Sequence, residues 1–152
     1  MRSFVLAILV VIAAFAATTL PPGSGVARAS ADAQATLTVH SSRYGSILFD
    51  GRGRALYTFT RDRRGGTSRC YGACAQKWPV YFGGGQLLAG KGVKKSLLGT
   101  TKRRDGRRQI TYNGRPLYYY SGDKSPGQVL CQNVAEFGGT WLVMRPSGAL
   151  VR

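Results

Sequence analysis

The second half of the chain contains short runs of β-prone residues, in which side chains two positions apart would share one face of a strand. Two such runs, residues 107–112 and 115–120, flank the dipeptide Asn113-Gly114. Asn-Gly between β-prone runs favours a tight hairpin turn, because both turn positions need positive φ. Asp105-Gly106 offers a second tight turn just upstream. The pattern therefore predicts a three-stranded meander with strands at 98–104, 107–112 and 115–120.

The first half of the chain has similar β-prone runs around a turn sequence. Residues 46–50 and 54–60 flank the turn sequence Gly51-Arg52-Gly53, so we predict a hairpin there. Two further strands are predicted at 80–82 and 140–145. Helical periodicity is almost absent after the N-terminal segment, apart from one short helical turn near 71–77.

The two halves repeat each other at a constant offset of 61 residues. Residues 53–62 are GRALYTFTRD and residues 114–123 are GRPLYYYSGD, and the offset continues from Cys70 to Cys131. Two residues of slippage later, Trp78-Pro79-Val80 corresponds to Trp141-Leu142-Val143. Chance rarely gives so many matches at one offset. We therefore interpret the chain as an internal duplication, with unit 1 over 45–97 and unit 2 over 98–152.

The repeated strands also predict the core. Tyr57 and Phe59 share one face of a strand, and Tyr118 and Tyr120 share the equivalent face. Two such small sheets bury too little alone, so the units are expected to pack together. The predicted fold is all-β, with two tandem pseudo-equivalent β-meander units in one small domain and little helix. The side chains expected to dominate its interior are Leu56, Tyr57, Phe59, Trp78, Leu117, Tyr118, Tyr120 and Trp141.

The N-terminal segment has the pattern of an export signal. Arg2 precedes an uncharged run over 4–17, then Pro21-Pro22-Gly23, and Ala-x-Ala sites follow. The run is short for a membrane-spanning helix. We expect a cleaved signal peptide over 1–31, a flexible mature N-terminus over 32–44, and a secreted, periplasmic or cell-envelope location. No lipobox cysteine lies near the cleavage sites, and no transmembrane segment is expected after cleavage.

The charge of the chain indicates its class of partner. It has 22 Lys and Arg against 6 Asp and Glu, a net charge of +16, and loss of Arg2 and Arg28 on cleavage leaves +14. Such a charge favours anionic surfaces and polymers. For an exported protein these are an acidic envelope polymer, an anionic lipid surface or extracellular nucleic acid, with no specific nucleic-acid recognition expected. The alternative is that the charge only maintains solubility.

The densest basic segment is the predicted hairpin tip. One interpretation is an electrostatic site for a polyanion with tyrosines nearby for stacking, and the other is a solvated hairpin without a partner. The candidate binding residues are Lys102, Arg103, Arg104, Arg107 and Arg108. Lys91, Lys94 and Lys95 lie upstream and would extend the patch. A second group of cations follows the first motif and consists of Arg61, Arg63, Arg64 and Arg69.

The repeated motif carries a family resemblance. Tyr-x-aromatic-x-x-Asp, present as Tyr57/Phe59/Asp62 and Tyr118/Tyr120/Asp123, resembles the bacterial secreted-repeat family of predicted lipoproteins named for this motif. The stretch from Cys70 to Pro79 looks like that family's segment from a cysteine pair to Trp-Pro. Residues 98–100, 112–114 and 137–141 are similar to its linking and closing segments. The resemblance covers nearly all of 45–145 and implies a secreted protein whose family has no known function.

Asp62 and Asp123 have two interpretations. They are a candidate catalytic or metal-binding carboxylate pair. Alternatively, each follows a strand and opens a turn rich in Gly, Pro or Ser, where Asp accepts backbone N–H groups or a Tyr hydroxyl from the opposite strand. We favour the structural interpretation for the whole motif.

The three cysteines indicate oxidation outside the cytoplasm. A helical turn would place the Cα atoms of Cys70 and Cys74 about 6 Å apart, within bridging range. The alternatives join Cys70 or Cys74 to Cys131 and would staple the two units together. We favour Cys70–Cys74, which leaves Cys131 as the third thiol.

Catalytic and metal chemistry have weaker support. Cys131, Met144 and His40 are the residue types that suit a soft metal. However, His40 is the only histidine and is interpreted as an exposed loop residue, so no metal or cofactor is assigned. One histidine and no Gly-x-Ser-x-Gly elbow give no catalytic residue, and the protein is not expected to be an enzyme. The leading hypothesis is therefore non-enzymatic binding of an anionic polymer. The alternatives are a redox or metal-binding module using Cys70, Cys74 and Cys131, and a purely structural envelope protein.

Overall fold

The computed structural model describes residues 36–152, which form three small antiparallel sheets with strand orders β1-β2, β3-β8-β7 and β4-β5-β6. Short elements connect them: a five-residue helix α1 at Ala73–Lys77 and a 3-10 turn at Lys95–Leu97. This confirms an all-β fold with two tandem units. The strands are β1 Thr38–Ser42, β2 Gly45–Phe49, β3 Tyr57–Phe59, β4 Leu98–Lys102, β5 Arg108–Tyr112, β6 Arg115–Pro116, β7 Val134–Glu136 and β8 Gly139–Val143.

The two units exchange strands. In the sheet β3-β8-β7, Tyr57 of unit 1 pairs with Val143 of unit 2, and Phe59 pairs with Trp141. The reciprocal pairing joins unit 2 to the Trp78 segment of unit 1. There Val80 forms a bridge with Tyr118, and the Tyr119 N–H donates to the Pro79 carbonyl over 2.8 Å. Each unit thus supplies the strand that completes the other.

A single residue pair marks the centre of this exchange. Tyr57 and Tyr118, which correspond at the 61-residue offset, form an antiparallel bridge with each other. Each N–H donates to the other's carbonyl, over 2.8 Å from Tyr57 and 2.9 Å from Tyr118. A residue paired with its own counterpart is the arrangement that a local two-fold axis produces.

The interior consists of two clusters that both units share. Seven of the eight side chains expected in the core are at most 1% exposed, and Tyr120 is half-buried against them. Residues adjacent in the sequence belong to different clusters: Tyr57 and Tyr118 pack in a mainly aromatic cluster, whereas Leu56 and Leu117 pack in a mainly aliphatic one. Successive side chains of a strand point to opposite faces, so these segments are buried on both sides.

Several predicted strands differ in the structure. The predicted hairpin of 46–50 with 54–60 forms only next to its turn, where Phe49 bridges Ala55 and the Asp50 N–H donates to the Arg54 carbonyl over 2.9 Å; the full-length partner of β2 is β1. Strand β6 ends at Pro116 rather than at 120, because the chain turns from β5 toward Tyr57. Residues 80–82 form isolated bridges instead of a strand. Strand β7 was not predicted.

The start of unit 1 also requires correction. Residues 38–42, expected to be part of a flexible terminus, form β1 in full register with β2. His40 accordingly lies in a strand rather than a loop, although it is exposed and packs edge-on against Phe49. The predicted signal peptide lies outside the described residues and stays a prediction. Within residues 36–152, no helix is long and apolar enough to cross a membrane.

Both tight turns expected in unit 2 are present. Asn113 and Gly114 have φ of 49° and 70°, and Gly106 has φ of 81°. Gly114 additionally lies against the neighbouring loop: a Cβ there would be 2.9 Å from the Gly65 nitrogen, whereas one at Gly106 would meet nothing within 4 Å.

This difference gives a matched pair of substitutions. Gly106→Ala imposes only the left-handed conformation on a residue with a Cβ, which costs about 1–2 kcal/mol. Gly114→Ala adds a collision with backbone, so we expect about 1–3 kcal/mol more. Urea unfolding of both variants measures the difference. Equal losses of stability would contradict the close approach of Gly65.

Candidate functional site

The Tyr and Asp residues of the repeated motif form crossed hydrogen bonds between the units. The Tyr57 hydroxyl donates to Asp123 Oδ2 over 2.7 Å, and the Tyr118 hydroxyl donates to Asp62 Oδ2 over 2.6 Å. All four side chains are buried, with Asp62 and Asp123 only 1% and 3% exposed. The tyrosine of each unit therefore binds the carboxylate of the other.

The second oxygen of each carboxylate binds backbone of its own unit. Asp62 Oδ1 accepts the Arg69 N–H over 2.7 Å, and Asp123 Oδ1 accepts the Leu130 N–H over 3.0 Å. Arg69 and Leu130 again differ by 61 residues. Each Asp thus anchors the loop after its strand while it binds the opposite tyrosine, and both oxygens of each carboxylate are engaged by donors of the fold.

The aromatic residues of the motif form a four-ring column. Trp78 and Trp141 stack at its centre with centroids 3.9 Å apart and planes 2° from parallel. Phe59 stacks on Trp141 at 4.3 Å, and Tyr120 lies against Trp78 at 4.9 Å. The rings come alternately from unit 1 and unit 2. Stacked and tilted aromatic pairs add about 0.5–1.5 kcal/mol each to the area they bury.

Both units match one protein family. A family model described as a secreted repeat of unknown function matches the chain twice, at residues 38–81 and 99–145. The chain belongs to this family. No curated protein and no solved structure gives a significant match to it.

Burial changes the acidity of the groups in this secreted-repeat core. Desolvation raises the pKa of Asp62 and of Asp123 above the ordinary value of 3.8, although the hydrogen bonds from Tyr118 and Tyr57 act in the opposite direction. Desolvation also raises the pKa of Tyr57 and of Tyr118, and the neighbouring carboxylates raise it further. The two tyrosines therefore remain neutral hydrogen-bond donors at physiological pH.

The disulfide of unit 1 is the predicted one. Cys70 and Cys74 are bonded, with Cα atoms 5.3 Å apart, and both are buried. Cys131 is a free, half-buried thiol beside the aromatic cluster, while Met144 lies in the aliphatic cluster. Among residues 36–152, no three His, Cys, Asp or Glu side chains lie close enough to hold a metal ion.

The fold brings two basic segments together. The loop that follows Asp62 lies along the β4–β5 hairpin: Thr101 Oγ1 donates to the Gly66 carbonyl over 3.3 Å, and the Arg104 N–H donates to the Tyr71 hydroxyl over 3.2 Å. We call the exposed cations of this loop and hairpin the basic face. Its members are Arg63, Arg64, Arg69, Lys102, Arg104, Arg107 and Arg108.

Arg103 does not belong to this face, so its prediction as a solvent-accessible binding residue is wrong. Its side chain is 4% exposed. Nη1 donates to Gln109 Oε1 and Nη2 donates to the Cys70 carbonyl, both over 2.8 Å. Arg103 therefore ties the base of the hairpin to the disulfide loop. Arg61 lies elsewhere, hydrogen-bonded to the Phe137 carbonyl.

A further buried contact was not anticipated from the sequence. Asp50 Oδ2 accepts the Tyr119 hydroxyl over 2.9 Å, and its Oδ1 accepts the N–H groups of Arg52 and Arg54. Asp before a Gly-x-Gly turn is a recognised turn-capping pattern, so this signal was present. The tyrosine partner was not identifiable, because it comes from the other unit.

The crossed bonds can be tested by removing one hydroxyl at a time. Tyr57→Phe or Tyr118→Phe leaves a buried carboxylate oxygen without its donor, and we expect each to lower the free energy of unfolding by about 1–3 kcal/mol. Tyr44→Phe is the control, because within residues 36–152 its hydroxyl binds no protein group. Chemical denaturation gives the three values. A loss in Tyr44→Phe as large as in the other two would contradict the assignment.

The raised pKa of Asp62 predicts that its contribution to the free energy of unfolding falls as pH rises. Because the folded protein holds the Asp62 proton more tightly than the unfolded chain, protonation of Asp62 stabilises the fold. That contribution is complete below pH 3.8 and is lost as pH rises through the raised folded-state pKa. We expect the unfolding free energy of wild type, taken relative to Asp62→Asn at each pH, to fall as pH rises from 3.8. A difference that grows with pH would show the opposite shift.

Proposed function

We propose that this member of the secreted-repeat family binds an anionic polymer outside the cytoplasm through the basic face. The observation that carries the proposal is the meeting of two basic segments, from unit 1 and unit 2, on one surface of the fold. Seven exposed cations lie on the loop and hairpin that meet there. The protein acts as a binding module, and no step of catalysis is assigned to it.

The acids of the protein leave this charge almost uncompensated. Asp50, Asp62 and Asp123 are buried and accept tyrosine hydroxyls, and Glu136 accepts the Trp78 indole N–H over 2.9 Å. Within residues 36–152, one ion pair joins two side chains: Arg107 Nη2 lies 2.8 Å from Asp105 Oδ2. The surface therefore keeps a strong positive potential that attracts polyanions.

The exposed arginines of the hairpin are not needed to form its turn. At the 61-residue offset, Ser46 and Ile47 of unit 1 stand where unit 2 has Arg107 and Arg108, and Arg43 stands where unit 2 has Arg104. Gly45 and Gly106 correspond and both have φ of 81°, so the two turns share a backbone feature. Unit 1 thus builds its hairpin with one arginine at these three positions, so the additional exposed arginines of unit 2 serve something other than forming the turn.

The redox or metal-binding alternative has less support. Thiol exchange needs an accessible sulfur, whereas Cys70 and Cys74 are buried at 0% and 7% exposure. Cys131 belongs to unit 2 and forms no disulfide, because Cys70 and Cys74 are bonded to each other. No observation favours this function over polymer binding.

The proposal predicts a local dependence on charge. We expect Arg104→Gln/Arg107→Gln/Arg108→Gln to weaken binding of linear polyphosphate at least tenfold at low salt, and to lower the slope of log K against log salt by about 2–3, as for phosphate contacts. Arg52→Gln/Lys124→Gln/Arg152→Gln is the control, since it removes the same charge from exposed positions outside the basic face. Fluorescence anisotropy with labelled polymer measures both.

Two results would count against the proposal. Equal loss in the two triple variants would mean that only total charge matters and that the basic face is not a site. Wild-type affinity that does not change between low and high salt would exclude an electrostatic polymer site altogether.

A further inference from the structure

Three guanidinium groups and two aromatic rings form one connected ladder at the hairpin tip. The Cζ atoms of Arg104 and Arg103 lie 4.6 and 4.3 Å from the centre of the Tyr71 ring. Arg103 also lies 5.9 Å from the Phe82 ring, and Arg107 lies 3.9 Å from that same ring. The order of contacts is Arg104–Tyr71–Arg103–Phe82–Arg107, with the buried Arg103 in the middle.

The ladder places each outer guanidinium group beside an aromatic ring. The ring attracts the guanidinium by the cation–π effect and limits the positions that the group takes. Arg103 is held in place, because Gln109 and the Cys70 carbonyl bind two of its nitrogens. Among residues 36–152, its Nε is buried without a hydrogen-bond partner. Arg103 is therefore a positioning residue: it contacts the Tyr71 ring that Arg104 also contacts and the Phe82 ring that Arg107 also contacts.

Oxyanions can reach the Arg104 guanidinium and the Nη1 side of Arg107, whereas Asp105 occupies the Nε–Nη2 edge of Arg107. Within residues 36–152, no protein acceptor binds the Arg104 guanidinium, which is exposed. Arg107 already shows the geometry: its Nε and Nη2 both donate to Asp105 Oδ2, over 3.1 and 2.8 Å. A stacked guanidinium here thus holds an anionic oxygen with two N–H groups of one fork. Three like charges held this close, with one carboxylate among them, favour the arrival of a further anion.

We infer that this ladder recognises the phosphate groups of an anionic polymer and that this recognition requires arginine rather than lysine. The inference rests on the proposed function. Guanidinium forks match phosphate and carboxylate oxygens with paired hydrogen bonds, which an ammonium group cannot do. A linear polyphosphate repeats its anionic oxygens at every phosphorus of its backbone, whereas poly-glutamate carries its carboxylates on separate flexible side chains. Two guanidinium groups held on one ladder therefore favour the polyphosphate. The composition agrees, since six of the seven cations of the basic face are arginine.

The test separates geometry from charge. Arg104→Lys/Arg107→Lys keeps every charge but removes both forks. Using the full mature chain and labelled linear polyphosphate or poly-glutamate, we expect this variant to bind polyphosphate about tenfold more weakly and to lose most of its preference over poly-glutamate. Arg52→Lys/Arg152→Lys is the matched control at exposed positions outside the ladder and keeps wild-type affinity.

A second variant tests the stacking itself. Phe82→Leu removes the ring under Arg107 without changing charge, at a side chain that is 38% exposed. We expect polyphosphate affinity to fall several-fold while the melting temperature changes by only a few degrees. Loss of binding that follows loss of folded protein in this variant would argue against a role for the ring.

The outcomes distinguish this inference from the proposed function. If the lysine variant keeps wild-type affinity and preference, the ladder is not a recognition site, although the basic face still binds by charge. The same conclusion follows if wild type does not prefer polyphosphate over poly-glutamate. If wild type binds neither polymer in a salt-dependent way, both the ladder and the proposed function are overturned.

Discussion

The structure depends on the burial of two carboxylates that only the opposite unit can satisfy. A buried carboxylate without donors is costly, so Asp62 needs Tyr118 and Asp123 needs Tyr57. The tyrosines are placed by the backbone pair at the local two-fold axis, which in turn requires both units. Neither half therefore has a complete core or a complete set of hydrogen bonds by itself. The two repeats therefore form a single cooperative folding unit rather than two small domains in contact.

The same bonds explain the electrostatics of the surface. The protein has few acids, and most of those in the described part of the chain are used inside as acceptors for tyrosine, tryptophan and backbone. In the described part of the chain, the carboxylates that bind tyrosine and backbone in the core form no ion pair with an arginine on the surface. The same distribution of acidic residues thus explains both the hydrogen bonds of the core and the positive potential of the surface. A bound anion would compensate the positive charge that remains there after folding.

The sequence was sufficient for the features that repeat. The 61-residue offset predicted the buried aromatics and a duplicated all-β fold, and turn chemistry predicted the role of Asn113-Gly114. The sequence did not show the strand exchange, because periodicity identifies a strand but not its partner. Strand β1 was missed because its polar His40, Ser41 and Ser42 resemble a loop. Arg103 was misassigned because its acceptors, Gln109 and a backbone carbonyl, come near it only in the folded chain.

Duplication also explains why a specialised surface can exist on so small a protein. The stabilising contacts lie on or near the local axis and occur in pairs, whereas the hairpin tips lie away from it and occur once in each unit. Tyr71, which carries two guanidinium groups of the ladder, corresponds at the offset to Gln132, and Arg107 corresponds to Ser46. Since neither position contributes to the crossed bonds or to the ring column, it can differ between units without loss of the core. A symmetric interior therefore permits an asymmetric exterior, in which the unit 2 tip carries three guanidinium groups and two rings, while the unit 1 tip carries Arg43 beside the Tyr44 ring.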